Sequence, residues 1–464
     1  MALIKSISGI RGTIGGIPGE ALTPLDIVRF TSAYATLVAR DLKPSQRALV
    51  VVGRDARVSG PMVSSIVIAT LNSMGFDVVD IDLATTPTTE IAVTAHGAAG
   101  GIIITASHNP GNWNALKLLD SNGEFFNDAK GKELLSIAAA DSFNFATVQK
   151  LGKIYRDDTC LQKHIDMVLS LPLVDREAIA SAKFKVAVDA VNSVGGVAIP
   201  TLLRELGVED IVELNCDVTG NFAHNPEPIP ENLKDISRTV VKEGADVGIV
   251  VDPDVDRLAI VCEDGEMFIE ENTLIAIADY VLRSTPGSTV SNLSSSRGLR
   301  DVTLRHGCSY TASAVGEVNV VAEMKRTGAI IGGEGNGGVI YPAAHYGRDA
   351  LVGVALFLSL LAKDGRRVSE IKASLPQYHI TKNKKELTPD INVDVILDEV
   401  KAAYSNEKIT DIDGVKIDFA DGWVHLRKSN TEPIIRIYAE AETMEKAEAL
   451  AANVMAMIDD LVSK

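Results

Sequence analysis

Along most of the chain, short apolar runs alternate with stretches of helical spacing. Ala48 to Val52, Val78 to Ile81, Gly101 to Ile104, Val186 to Asp189, Asp246 to Val251 and Thr289 to Leu293 are too short for helices and read as buried strands. Met62 to Met74, Leu134 to Ala140 and Leu161 to Leu171 carry the 3.6-residue period between them. That alternation predicts mostly parallel sheets with helices on their faces. Leu351 to Ala362 is continuously apolar but too short to cross a bilayer, and reads as a buried helix. Lys382-Asn383-Lys384-Lys385-Glu386 looks like a charged linker. Beyond it, strands at Val415 to Phe419, Val424 to Arg427 and Ile434 to Tyr438 lead into an amphipathic helix, Met444 to Val462. The expected fold is α/β in four domains: 1–150, 151–257 and 258–378 as mixed α/β units of related topology, and 379–464 as an α+β unit. Open α/β sheets bind ligands beyond the carboxyl ends of their strands, so such units predict a central cleft.

Two strand exits carry the candidate chemistry. Gly101 to Ile104 runs into Thr105-Ala106-Ser107-His108-Asn109-Pro110, and Pro110 cannot continue a ladder. A serine hydroxyl is thereby held among polar groups, although an ordinary strand-to-loop turn would look the same. Far down the chain, Asp246 to Val251 runs into Asp252-Pro253-Asp254-Val255-Asp256-Arg257. In an extended loop alternate residues face one side, so Asp252, Asp254 and Asp256 converge and would repel unless a cation sat between them. Hard carboxylate oxygens suit Mg²⁺. Glu263 falls where an EF-hand count from Asp252 needs its last ligand. Arg257, however, stands where that loop requires glycine, and the flanks look like strands.

Length and charge narrow the function. At 464 residues several domains are expected, and 46% apolar content is enough for real cores. A net charge of −17 argues against nucleic acid or an anionic membrane as partner. Cys160, Cys216, Cys262 and Cys308 form no Cys-x-x-Cys pair, which fits a reducing compartment. With no signal-peptide pattern at the N-terminus, a cytoplasmic location is expected. An anionic substrate would need a focused basic cluster, for which Arg11, Arg54, Arg57, Lys117, Arg257, Arg427 and Arg436 are the candidates.

The serine and carboxylate motifs together resemble the α-D-phosphohexomutase family, whose members move a phosphoryl group between the 1- and 6-positions of a hexose. Further stretches resemble that family in the same order. Ser8-Gly9-Ile10-Arg11-Gly12 resembles its N-terminal active-site loop, and Gly53-Arg54-Asp55-Ala56-Arg57-Val58-Ser59 a supporting motif. Gly332-Gly333-Glu334-Gly335-Asn336-Gly337-Gly338 is similar to its sugar-binding loop, and Arg427-Lys428-Ser429-Asn430-Thr431-Glu432-Pro433 to its phosphate-binding loop. The resemblance implies four domains around one cleft. It implies a phosphate carried on Ser107, Mg²⁺ on Asp252, Asp254, Asp256 and a phosphoserine oxygen, and a hexose 1,6-bisphosphate intermediate or activator. It further implies that Arg257 contacts the transferring phosphate and that Arg427, Ser429, Asn430 and Thr431, with Arg436 beside them, hold the other one. Glu334 and Asn336 would bind sugar hydroxyls. Lys117, Arg11, His108 and Glu317 remain alternatives for the general base. The sugar loop lacks the histidine of bacterial phosphomannomutases/phosphoglucomutases, and Val315-Gly316-Glu317 carries a carboxylate where that branch has another. Both features look more like archaeal-type phosphoglucosamine mutases. The implied substrate is a glucosamine phosphate, with phosphomannose and phosphoglucose as runners-up, bound by a monomer or homodimer. A non-catalytic sugar-phosphate-binding protein would be expected to have lost Ser107 or an aspartate. A metal-dependent phosphatase would release inorganic phosphate faster than it isomerised.

Overall fold

The computed structural model describes residues 2–6, 9–42, 48–388, 391–428 and 434–462. They form four sheets, and the chain divides into two compact units, Met1–Thr273 with Gly337–Ile371, and Leu274–Asn336 with Lys372–Lys464.

The first unit holds a seven-stranded sheet and a four-stranded one. In the seven-stranded sheet Leu49–Arg54 lies between Asp77–Leu83 and Gly100–Ile104, all three parallel, and Trp113–Leu119 then returns antiparallel to Gly100–Ile104. In the four-stranded sheet Lys185–Asp189 lies between Asp210–Leu214 and Val247–Val251, again parallel, and Leu258–Cys262 returns antiparallel. The second unit repeats the start of this order, with Thr289–Asn292 parallel to both Tyr310–Ser313 and Ile331–Glu334. The related topology expected of the first three units is therefore the strand order second, first, third. The serine loop, the carboxylate loop and the glycine-rich loop each follow the third strand of their own repeat.

Burial explains why these runs are strands. Gly100–Ile104, Val247–Val251 and Leu258–Cys262 are buried at every position, as sheets covered on both faces demand. Helix Ala350–Asp364, apolar along nearly its whole length, is a core helix, capped by Asp349, whose Oδ1 accepts from the Leu351 and Val352 amides. No helix among the described residues is long and apolar enough to cross a membrane.

Two expectations need correction. Lys382 to Glu386 is no linker but part of strand His379–Glu386, which pairs antiparallel along its length with Ile434–Ala441 at the edge of a five-stranded antiparallel sheet. Lysines on an exposed edge strand discourage pairing with another chain, so a charge run there imitates a linker in sequence. A boundary after residue 257 would also cut between two paired strands, because Leu258–Cys262 belongs to the second sheet.

The carboxylate loop depends on the buried strand before it. Replacing the fully buried Ile249 by alanine should cost about 2–5 kcal/mol in chemical denaturation. The same change at Val241, 56% exposed, should stay within about 0.5 kcal/mol.

Candidate active site

The serine loop is shaped by one buried arginine. The five N–H donors of Arg57 all find acceptors. Nε donates to Asp55 Oδ2 (3.0 Å), Nη1 to the carbonyls of Pro110 (2.7 Å) and Trp113 (3.0 Å), and Nη2 to those of Ser107 (2.5 Å) and Asn109 (2.7 Å). Asp55 Oδ2 also accepts from Thr105 Oγ1 (2.7 Å), which in turn accepts the Ser107 amide (2.9 Å). Burial pushes the Asp55 carboxyl up, against the pull of the Arg57 guanidinium. This clamp holds Ser107 at φ 48, a left-handed conformation uncommon outside glycine. Arg57 therefore leaves the basic cluster expected from sequence. Arg54 leaves it too, paired 2.7 Å from Asp82.

The clamp brings the hydroxyl of Ser107 to the carboxylate loop, its Oγ donating to Asp252 Oδ2 at 2.7 Å. Asp252, Asp254 and Asp256 are fully buried, and each presents a carboxylate oxygen within 4.8 Å of the others. Val255 bends the loop at φ 63, a strained conformation for a β-branched residue. Segments distant in sequence hold it. Ser193 Oγ donates to the Pro253 carbonyl (2.6 Å), and the Thr86 amide to the Asp254 carbonyl (2.9 Å). Thr86 Oγ1 and Lys117 Nζ both donate to Asp254 Oδ2 at 2.7 Å, and Arg348 Nη2 donates to Asp256 Oδ2 at 2.6 Å. Asp254 Oδ1 and Asp256 Oδ1, in contrast, are buried and meet no hydrogen-bond donor among the described residues. A buried carboxylate oxygen without a donor is costly, and a hard divalent cation is the ligand that offsets it. The three aspartates fit a metal ion.

The charges interlock. Burial, reinforced by the Asp256 and Asp254 carboxylates, pushes Asp252 well above the usual carboxylate range. Burial would also raise Asp256, but the guanidinium of Arg348, followed by Lys117 and Arg257, holds it below that range. Burial pulls the Lys117 ammonium down, and Asp254 and Asp256 overcome it, so Lys117 stays charged. His108 Nδ1 lies 3.3 Å from Ser107 Oγ, and burial together with the Arg257 guanidinium lowers its imidazole to about 3. Arg257 donates its amide to Asp252 Oδ1 (3.3 Å), while its buried Nε has no hydrogen-bond partner among the described residues. Arg11 lies on strand Gly9–Thr13, in register with Ala115, and so shares a sheet face with Lys117 two residues further on. Gly9, at φ 133 and opposite Lys117, has no room for a Cβ, which would meet the Leu116 carbonyl at 2.4 Å.

In the second unit Glu334 ends its strand, with Oε1 accepting from Asn292 Nδ2 (2.8 Å) and the Gly316 amide (3.1 Å). Asn336 follows, half-buried, and Glu317 opens helix Glu317–Thr327 immediately after Gly316. Asp413 Oδ2 accepts the Val315 amide at 2.9 Å and lies 2.9 Å from Arg427 Nε, so Glu334 and Arg427 share one network. Arg427 stands directly opposite Arg436, and Arg436 opposite Lys384 on the edge strand. Asp413 beside Arg427 and Glu386 Oε1, 3.5 Å from Lys384 Nζ, balance part of this row of three cations, and a further anion would be attracted to it. Ser429, Asn430 and Thr431 lie outside the described residues.

Sequence reasoning missed Arg348, Thr86, Ser193 and Asp413. Only Arg348 left a signal, an Arg-Asp pair just ahead of the apolar helix.

Four descriptions of one family match in chain order. They are "Phosphoglucomutase/phosphomannomutase, alpha/beta/alpha domain I" at residues 4–145, domain II at 162–265, domain III at 270–378, and the C-terminal domain at 382–457. The chain is 38% identical over 440 residues to a "Phosphoglucomutase/phosphomannomutase" of Thermococcus kodakarensis, covering 94% of this chain and 95% of that one. It is 32% identical over 466 residues to a "Phosphoglucosamine/phosphogalactosamine mutase" of Sulfurisphaera tokodaii, covering 99% and 100%. A crystal structure of a phosphoglucomutase/phosphomannomutase family protein from Burkholderia thailandensis superposes with TM-score 0.85 at 26% identity, covering 98% of this chain and 97% of that one.

Lysine cannot supply the fork of Arg57, so Arg57→Lys strands carbonyls at about 1–3 kcal/mol each. A lowered denaturation midpoint and faster proteolysis around Ser107 are expected. In unphosphorylated, metal-free protein the His108 ring should stay neutral, with no NMR titration from about pH 5 to about pH 8. The sign follows from its depressed folded-state value: its contribution to stability is complete above about 6.5 and is lost as pH falls toward 3.

Proposed function

The chain belongs to the phosphoglucomutase/phosphomannomutase family, and on that basis we propose that it is a phosphohexomutase, interconverting hexose 1- and 6-phosphates, with glucosamine phosphate as preferred substrate. The observation that carries this reading is the 2.7 Å hydrogen bond from Ser107 Oγ to Asp252, beside two buried carboxylate oxygens that lack donors among the described residues. A nucleophilic oxygen at a metal-binding carboxylate is what phosphoryl transfer requires, since that reaction asks mainly for alignment and charge stabilisation.

In this reading Ser107 carries a phosphoryl group in the resting enzyme, worth roughly −1.5 to −2 charges. Asp252, Asp254 and Asp256, with a phosphoserine oxygen, would hold Mg²⁺, which would supply charge neutralisation during transfer. Ser107 gives its phosphoryl group to the free sugar hydroxyl and recovers a proton. The resulting bisphosphate turns over, and its other phosphoryl group passes back to Ser107. Lys117, held charged by Asp254 and Asp256, and Arg257, whose Nε makes no hydrogen bond among the described residues, stabilise the phosphoryl oxygens, and Arg11 shares that face. His108, whose Nδ1 lies 3.3 Å from Ser107 Oγ, is the residue we assign to pass the proton between sugar and serine. Glu334 and Asn336 bind sugar hydroxyls, and Glu317 directly follows Gly316, whose amide donates to Glu334. Arg427 and Arg436, with Ser429, Asn430 and Thr431, hold the phosphate that is not moving; the cross-strand alignment of the two arginines supports that role. The four functional segments are 1–150, 151–257, 258–378 and 379–464, with the first extended through the strand that ends at Arg156 and the second through the strand that ends at Cys262.

The preference for an amino sugar rests on the Glu334-Gly335-Asn336-Gly337-Gly338 loop and on the Sulfurisphaera relative. The 38% identity to the Thermococcus protein favours a second reading, in which glucose or mannose phosphate is preferred. Coupled assays on the three 1-phosphates decide. Higher kcat/KM on glucosamine 1-phosphate is expected, and equal or greater turnover on mannose or glucose 1-phosphate reverses the order. Peptide mapping of purified protein should find phosphate on Ser107. Ser107→Ala should abolish turnover while sugar-phosphate binding persists, and Asp254→Asn should cripple catalysis and weaken metal binding without unfolding the chain.

A further inference from the structure

Away from the carboxylate loop, three metal-ligating side chains of different chemistry meet in the first unit. His96 is the C-cap of helix Thr86–Ala95, Asp157 follows strand Ile154–Arg156, and Cys160 opens helix Cys160–Leu169. Each offers a donor atom, and these lie within 4.8 Å of one another. His96 Nε2 is 3.0 Å from Asp157 Oδ2 and 3.9 Å from Cys160 Sγ. Tetrahedral ligands around one Zn²⁺, at bond lengths of about 2.0–2.3 Å, stand roughly 3.3–3.6 Å apart. The trio needs only small shifts to reach that arrangement.

We propose that His96, Asp157 and Cys160 bind a borderline-soft divalent cation of the Zn²⁺ class, at a site independent of the three-aspartate centre. The donor set is selective, because thiolate and imidazole suit Zn²⁺ whereas Mg²⁺ requires hard oxygens. The Asp157-x-x-Cys160 spacing at a helix start matches the spacing of the Cys-x-x-Cys half of many zinc sites. An outer layer orients the carboxylate. Asp157 Oδ1 accepts from the Thr159 amide (2.9 Å) and Thr159 Oγ1 (2.5 Å), which leaves Oδ2 to face His96. Those Thr159 bonds hold Asp157 ionised. Burial pushes the Cys160 thiol up to about 11, so it keeps its proton until an ion arrives. Binding then forms one sulfur–metal bond, breaks the S–H bond and releases the proton to solvent. Lys163 Nζ, 2.9 Å from Asp157 Oδ2, serves as the resident cation; its side chain is 53% exposed and free to swing into water when the ion enters. His96 and Asp157 are partly open, at 25% and 16%, which leaves room for a water as fourth ligand.

The ion would staple the chain leaving the seven-stranded sheet onto helix Thr86–Ala95. The opposite end of that helix bonds to Asp254, so the staple braces an element that supports the carboxylate loop.

Co²⁺ titration of the full chain, with Mg²⁺ in excess to fill the aspartate centre, tests the proposal. A thiolate ligand gives a near-ultraviolet sulfur-to-cobalt charge-transfer band, which carboxylates cannot produce. We expect one equivalent of Co²⁺ to develop this band, Cys160→Ser and His96→Gln to abolish it, and Cys262→Ser to retain it. Zn²⁺ should displace the cobalt, protect Cys160 from alkylation in peptide maps, and raise the melting temperature of the parent protein but not of Cys160→Ser. Mutase turnover of Cys160→Ser verifies that this variant folds, and His96→Gln gives a second reading if it does not. No band, or a band that survives in either variant, overturns the assignment. Because the readout is spectroscopic and the site lies outside the catalytic residues, its failure would leave the mutase reading intact.

Discussion

Three carboxylates buried within one short loop repel each other, and the first unit is organised around that repulsion. Asp252 relieves part of it by accepting the Ser107 hydroxyl, and burial with its two neighbours pushes its proton affinity up. Asp256 and Asp254 are balanced instead by Arg348 and Lys117, delivered from segments remote in sequence. The compensation is incomplete, because one oxygen on each of Asp254 and Asp256 has no donor among the described residues. A site optimised for stability alone would have paired them or replaced them with apolar residues. What remains is a position for a cation, with a serine oxygen beside it.

The repeated strand order explains how such a site can be assembled from distant pieces. In each repeat the first strand takes the middle position, and the loop after the third strand carries the functional groups. Parallel strands direct those loops to the same end of a sheet, where ligands of open α/β folds bind. The loops are then fixed one by one. Arg57 gives three of its five donors to serine-loop carbonyls, Ser193 and Thr86 hold the backbone of the aspartate loop, and Asn292 with the Gly316 amide orients Glu334. None of these supporting side chains needs to touch substrate. Their task is to make the reacting groups rigid before substrate arrives.

Legibility in the sequence followed locality. The apolar runs before Ser107 and Asp252 are short, bounded and fully buried, so strand type and loop position could be read from pattern alone. Arg348 and Asp413 could not, since their partners lie in other segments and only the folded chain brings them together. In sequence Arg57 reads as part of the basic cluster, because sequence reports charge and not the five carbonyl and carboxylate acceptors around it. Lys382 to Glu386 misled for the converse reason: an edge strand needs charges for protection, and those charges read as linker. The loop carrying Ser429, Asn430 and Thr431 lies outside the described residues, but the arginines at its flanks, Arg427 and Arg436, stand in register.

The central claim is that the oxygen on Ser107 and the three aspartates ligate one divalent ion. Phosphorus electron–nuclear double resonance on the phosphorylated protein, loaded with Mn²⁺ in place of Mg²⁺, tests it directly. The account predicts one strongly coupled phosphorus nucleus, joined to the metal through a single oxygen and absent from Ser107→Ala. Tightly bound Mn²⁺ with no phosphorus coupling, in protein whose peptide map places phosphate on Ser107, would contradict it.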